Sequence, residues 1–281
     1  MEQATLAMTT RPIPSSGEAI PVIGIGTWQT FDVGRDAAAR SRLAEVLRKL
    51  FAGGGKVIDS SPMYGRAEGV VGDLLGELHA RNSAFIATKV WTTGRDAGID
   101  QMRRCAELLR TSVIDLMQIH NLLDWRTHLA TLRRMKEAGE IRYLGITHYT
   151  SSALPDLAAI IEREQIDFVQ FAYSIDVRDA ERRILPLAAD RGIAVIVNRP
   201  FGGGGLFNRV RKTAMPQWAG DIGCATWAQF FLKFIISHPA VTCVIPATAD
   251  PAHIADNLAA GYGHLPDAAE RKRMADFLQS L

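Results

Sequence analysis

Eight times along this chain a short apolar run is followed by a stretch with helical, amphipathic spacing, and no linker of changed composition interrupts the beat. The apolar runs lie near 22–26, 56–59, 84–89, 115–120, 141–146, 167–171, 193–197 and 242–245. Helical spacing falls near 36–51, 66–80, 99–111, 126–138, 151–164, 179–191, 222–237 and 251–259, with a last helix near 266–280. Strict strand–helix alternation of this number predicts an α/β protein, a (β/α)8 TIM barrel, as one domain over 1–281. Before the first barrel strand, Arg11-Pro12-Ile13 and Ala19-Ile20-Pro21 flank Ser-Ser-Gly-Glu, which reads as an N-terminal β-hairpin. Residues 1–10 are expected to form a disordered tail.

A dinucleotide-binding open sheet is the architectural rival. Gly24-Ile25-Gly26 follows a strand, but no third glycine stands in register and no helix opens directly on it. The second glycine run, Gly202 to Gly205, comes after strand seven, where barrels commonly build a phosphate site.

The chemistry concentrates in residues 56–75, KVIDSSPMYGRAEGVVGDLL. Val57-Ile58 ends a buried strand, Asp59 follows at once, and Tyr64 sits on the loop into a helix. The next two strands end in Lys89 and His120. Singly, such an Asp is a turn former or cap and such a Lys or His a solvated loop residue. Four polar groups at the same end of three successive strands form a constellation, placed where parallel α/β proteins do their chemistry.

This stretch resembles the signature of the aldo-keto reductases, and Asp59, Tyr64, Lys89 and His120 match that family's catalytic tetrad one for one. The resemblance covers roughly residues 20 to 260. It implies a hairpin plugging the bottom of the barrel and an NAD(P)H-dependent reduction of aldehydes or ketones. Hydride transfer leaves a developing alkoxide that needs a proton, and a phenol of pKa about 10 is a reluctant donor near neutrality. A neighbouring ammonium lowers that value. Tyr64 is therefore expected to act as general acid, tuned by Lys89, with Asp59 keeping the lysine charged. His120 is expected to orient the carbonyl.

The resemblance also implies nicotinamide contacts. Thr147 and His148 stand where the family has a Ser-Asn pair, and Gln170 matches its carboxamide-binding glutamine. Asn198 replaces an aromatic that stacks on the ring, and Arg199 is expected at the pyrophosphate beside Pro200, Gly202 and Leu206. Gly26, Thr27 and Trp28 join this set after strand one. At the adenosine end Thr248, Asp256 and Asn257 are expected contacts. Ala247 and His253 stand where NADPH-dependent members commonly carry Lys and Arg for the 2′-phosphate. NADP(H) is favoured slightly by family habit, and NAD(H) by these local charges. Trp28, Trp91 and Trp125 are expected to wall a pocket for an apolar or aromatic carbonyl compound.

Composition excludes several other classes. With 47% hydrophobic residues and a net charge of +2, the chain has neither the basic excess of a nucleic-acid binder nor that of a membrane-surface protein. No run approaches the roughly 20 apolar residues of a membrane-spanning helix, and MEQATLAMTT lacks the pattern of a secretory signal. Cys105, Cys224 and Cys243 are too scattered for a metal site and are expected as reduced thiols, at least two of them buried. The histidines show no metal-ligand spacing. The expectation is a cytoplasmic enzyme, monomeric or weakly homo-oligomeric, with a small-molecule carbonyl substrate as its partner. Two other readings remain: a Schiff-base lyase using Lys89 as nucleophile, and a nicotinamide-binding sensor or accessory subunit.

Overall fold

The computed structural model describes residues 7–281. An antiparallel hairpin, β1 (Thr10–Pro12) and β2 (Ala19–Pro21), precedes an eight-stranded parallel sheet. That sheet runs in chain order through β3 (Ile25–Gly26), β4 (Val57–Asp59), β5 (Phe85–Val90), β6 (Ile114–His120), β7 (Ile141–Thr147), β8 (Phe168–Ala172), β9 (Ala194–Asn198) and β10 (Cys243–Val244). Parallel bridges from Ile23 to Val244 and from Gly26 to Ala247 join the last strand to the first and close the barrel. Between the strands run α1 (Ala37–Ala52), α2 (Ala67–Glu77), α3 (Arg95–Leu108), α4 (Trp125–Glu137), α5 (Leu154–Arg163), α6 (Ile184–Asp190), α7 (Gly205–Val210) and α8 (Trp227–Ile236). Helices α9 (Pro251–Ala259) and α10 (Ala268–Gln279) finish the chain. None among the described residues is long and apolar enough to cross a membrane.

Side chains alternate between the two faces of each strand, and here each face has its own core. Ile58, Ile86, Met117, Ile119, Leu144, Ile146, Val169, Val195 and Val244 point outward into the layer shared with the helices. Val57, Phe85, Ala87, Leu116, Tyr143, Phe168, Ala194, Ile196 and Cys243 fill the barrel interior. Ile13 and Ile20 of the hairpin belong to that interior cluster, so the hairpin plugs the amino-terminal end as expected. Polar contacts seat it: Tyr143 Oη lies 2.7 Å from Ser16 Oγ and donates to Glu18 at 2.6 Å.

The structure refines several boundaries. Residues 1–6 of the expected tail lie outside the described residues, whereas Thr9 donates to Gly261 O at 2.9 Å and Thr10 opens β1. Helix α8 starts at Trp227 rather than near 222, because Gly223 has φ of 69° and Thr226 caps the helix by accepting from Gln229 N. The stretch read as one helix over 179–191 is a 3-10 turn at Asp179–Arg182 and then α6, broken at Arg183 with φ of −143°. Helix α7, directly after the glycine run, carries no apolar periodicity long enough to announce it. All three cysteines are buried and free.

The hairpin's role gives a stability test. Ile13 and Ile20 are at most 1% exposed, so Ile20→Ala should cost about 2–5 kcal/mol. Denaturant unfolding, monitored by tryptophan fluorescence, measures the loss.

Candidate active site

The inward phase of the strands changes character towards the carboxyl end. Val57 is followed on the same face by Asp59, Ala87 by Lys89, Leu116 by Gln118 and His120, Phe168 by Gln170, and Ile196 by Asn198. The apolar interior thus rises into a polar layer at the barrel mouth. Lys89 is fully buried, and its Nζ donates to Asp59 Oδ2 at 2.7 Å and to Ser60 O at 2.6 Å. An ammonium has three protons. The third is left for the side holding Tyr64, whose ring centre is 5.3 Å from Nζ. The His120 ring meets Tyr64 edge-on, with centroids 6.0 Å apart.

Asp59 is held from the other side as well. Its Oδ1 accepts from Gln170 Nε2 at 3.0 Å and from Gln118 Nε2 at 3.2 Å. Gln170 Oε1 in turn accepts from Thr147 Oγ1 at 3.0 Å. Above this layer opens a cavity of 730 Å³ lined by Asp59, Tyr64 and His120. Trp28, Met63, Trp91 and Tyr149 stand around it, and Asn198, Arg199, Pro200, Phe201, Gly203 and Gly204 form the wall after β9. A second cavity of 330 Å³ shares Phe201, Phe207 and Ala247 with the first and adds Thr248, His253, Asp256 and Asn257. The two together make one elongated surface running from the tetrad to the start of α9.

Residues 22–271 match the family model described as the aldo/keto reductase family. The chain belongs to the aldo/keto reductase family. Its oxidoreductase character follows at that level. A methylglyoxal reductase, DkgA, from Yersinia pestis is 26% identical over 260 residues, covering 89% of this chain and 87% of that one. A pyridoxine 4-dehydrogenase from Escherichia coli is 27% identical over 269 residues, covering 87% and 91%. In fold, an aldo-keto reductase from Klebsiella pneumoniae, solved in complex with NADPH, superposes with a TM-score of 0.80 at 24% identity, covering 96% of both chains.

Within this aldo/keto reductase the four tetrad candidates do converge, but their electrostatics differ in one respect from the expectation. The Tyr64 phenol is held above its ordinary value: burial raises it, Lys89 pulls it down, and burial wins. Dehydration of the phenolate here outweighs an ammonium already shared with Asp59. For Lys89 the balance runs the other way. Burial opposes the charge, but Asp59 and Tyr64 outweigh it and raise the lysine above its usual range. A lysine so held is a cation, not a free amine, which disfavours the Schiff-base reading. His120 is pushed down to about 3, first by burial and then by Lys89 and His148, so its imidazole is neutral at ordinary pH.

Of the expected cofactor contacts, Gly26, Thr27, Trp28, Thr147, Gln170, Asn198, Arg199 and Pro200 line the cavity over the tetrad, and Thr248, Asp256 and Asn257 the second. Three do not. His148 turns away, its Nδ1 accepting from Thr150 N at 3.2 Å while its ring stacks on Tyr149, which takes the wall position. Leu206 is 1% exposed in the helix-layer core. Gly202 lies off the cavity beside Asp176, and its neighbours Gly203 and Gly204 take the wall instead. Trp125 likewise lines neither cavity; it packs against the helix layer with the Arg126 guanidinium 4.4 Å over its ring. Gln170 lines the cavity while both ends of its amide are engaged inside the protein, so it also supports Asp59. Asp256 is partly committed too, accepting from Thr226 Oγ1 at 2.8 Å and from Gln229 Nε2 at 2.6 Å.

Sequence reading passed over Ser61, Met63, Gln118, Tyr149, Phe201 and Phe207. Counting back two from His120 gives Gln118 the same inward face, a signal present in the sequence. The aromatics after strands five and seven carry no comparable mark.

His120 supplies a pH test. A group bound neutral in the fold and protonated in the unfolded chain stabilises above its unfolded pKa and loses that contribution as pH falls towards its folded one. From pH 7 to pH 5, His120 should remove about 2 kcal/mol of stability. Urea unfolding at both pH values should show a smaller difference for His120→Asn than for the wild type.

Proposed function

We propose that this protein is an NAD(P)H-dependent reductase of aldehydes and ketones, with Tyr64 as general acid. The observation that carries it is the buried Lys89, bonded to Asp59 at 2.7 Å with Tyr64 and a neutral His120 beside it at the floor of the cavity. The residues present suit a nicotinamide dinucleotide. Thr147, Gln170 and Asn198 put an amide- and hydroxyl-bearing rim on three neighbouring strand ends, and Asn198 Oδ1 has no partner among the described residues. Gly203 and Gly204, at φ of 66° and 94°, line the wall, and at Gly204 no atom of the described residues other than its chain neighbours lies within 4 Å of where a Cβ would stand. Arg199 comes beside them, its guanidinium 5.6 Å over the Tyr149 ring. The cofactor, when bound, supplies the hydride.

The protein's own groups manage the oxygen and the proton. His120 donates a hydrogen bond that orients the carbonyl oxygen. Tyr64 gives its proton to that oxygen as negative charge develops there, and Lys89 stabilises the phenolate left behind. Asp59 holds the ammonium in place throughout, with Gln118 and Gln170 fixing the carboxylate. Burial that raises the free phenol's pKa keeps it protonated and ready to donate, and the stabilising lysine acts once the proton has left. In the opposite direction Tyr64 serves as the base.

Trp28, Met63, Trp91 and Tyr149 favour an apolar or aromatic carbonyl compound. For the cofactor we favour NADPH with weak discrimination against NADH. Among the described residues the second cavity is walled by His253 and by no Lys or Arg, and Asp250 is turned to its own helix, capping Ala252 N at 2.7 Å.

Two measurements test this reading. Purified enzyme should oxidise NADPH with aromatic aldehydes, and Tyr64→Phe should lower kcat by about 10²–10⁴-fold with cofactor affinity kept; cofactor bound but no turnover on a broad panel would favour a sensor instead. Ala247→Lys should tighten NADPH about tenfold, some 1.4 kcal/mol, and leave NADH unchanged. Fluorescence titration with both cofactors reads it.

A further inference from the structure

His120 has two ring nitrogens, and among the described residues one of them is engaged. Nδ1 lies 2.9 Å from Ser61 Oγ, and Ser61 is 1% exposed. A serine hydroxyl has one proton to give and two lone pairs to accept with. The other partner of Ser61 Oγ among the described residues is the Met63 backbone N–H at 3.3 Å, which can only donate. His120 Nδ1 is therefore the acceptor available to the hydroxyl proton. With the proton placed there, Nδ1 must be the unprotonated nitrogen and Nε2 must carry the N–H.

The opposite tautomer would leave the Ser61 hydroxyl without an acceptor in a place closed to water, and buried polar groups are rarely left so. It would also present a lone pair at Nε2 to the lone pairs of a carbonyl oxygen. Protonation of both nitrogens is opposed by burial and by the Lys89 ammonium. Tyr64 and Trp91 face the same ring, their centroids 6.0 and 6.3 Å away. We infer that Ser61 is a positioning residue: its hydroxyl fixes His120 in the Nε2–H tautomer and so makes the imidazole a hydrogen-bond donor to the substrate oxygen. The donor role rests on the reductase reading above, whereas the tautomer itself can be measured without turnover.

The test is a long-range proton–nitrogen NMR spectrum of protein labelled with 15N-histidine, His120 being assigned by the signal lost in His120→Asn. Wild type should show an unprotonated Nδ1 and a protonated Nε2 at pH 7. In Ser61→Ala the two nitrogen shifts should move towards each other as tautomers exchange. There kcat should fall roughly tenfold, less than the ~10²–10³-fold loss for deleting a donor outright, with NADPH affinity unchanged. Ser61→Thr keeps a hydroxyl and should restore both the shifts and kcat. A protonated Nδ1 in wild type overturns the inference, as does a Ser61→Ala spectrum identical to wild type. Should Ser61→Ala fail to fold, the wild-type spectrum decides alone. A wild type that binds NADPH, shows the Nε2–H signature and reduces no carbonyl would refute the catalytic reading and leave the tautomer lock standing.

Discussion

A lysine with no exposed surface has to have its charge carried by protein, and most of this molecule's upper barrel is arranged around that requirement. Removing an ammonium from water costs several kcal/mol even after relaxation. Asp59 and the Ser60 carbonyl offset the cost at Lys89, and the carboxylate is then itself a buried charge to be satisfied. Two glutamine amides from β6 and β8 do this, and Thr147 on β7 completes the chain. One buried cation thus links five consecutive strands, β4 to β8, through hydrogen bonds between side chains. Such networks gain from each partnered member, and among the described residues Gln118 Oε1 is the buried atom of this one left without a partner.

The same dryness governs the two groups proposed to meet the substrate. Tyr64 and His120 are both kept uncharged: for the phenol burial prevails against the pull of the Lys89 ammonium, and for the imidazole burial and that ammonium act together. For the phenol this means a proton held until an acceptor arrives; for the imidazole it means a donor without net charge. Lys89 is the single cation among the four, and its ion pair with Asp59 sets the field at the cavity floor. The apolar rim of Trp28, Met63, Trp91 and Tyr149 keeps the surroundings of that field low in polarity.

Much of this was legible in the sequence because two periodic signals are strong in a parallel barrel. Strand–helix alternation showed the architecture, and Asp59, Lys89 and His120 ended three apolar runs in succession. What was hidden follows from burial on both faces. A strand covered inside by the barrel and outside by helices reads as a continuous apolar run, so the inward phase that selects Gln118 is masked by Met117 and Ile119. Loop residues gave less still. Leu206 and Trp125 matched plausible positions, yet a short helix after the glycines and a left-handed Asp124 before α4 turned them into the packing layers. His148 and Tyr149 are adjacent, and a local bond from Thr150 decided which of them faces the cavity.

The two-residue period of the strands also bears on how such a protein can vary. Loops at the mouth may gain or lose residues without disturbing the face on which any strand residue lies. Inside β5 a one-residue deletion before Lys89 would exchange the faces: Thr88 would enter the barrel, and the ammonium would turn away from Asp59 into the layer beside α2 and α3, where Thr88 now donates to Glu68. A two-residue change would keep the face but shift the lysine by about 6.6 Å along the strand, out of reach of Asp59. Length changes are therefore tolerable at the rim and disruptive within the staves, so that the loops can be rebuilt over an unaltered floor.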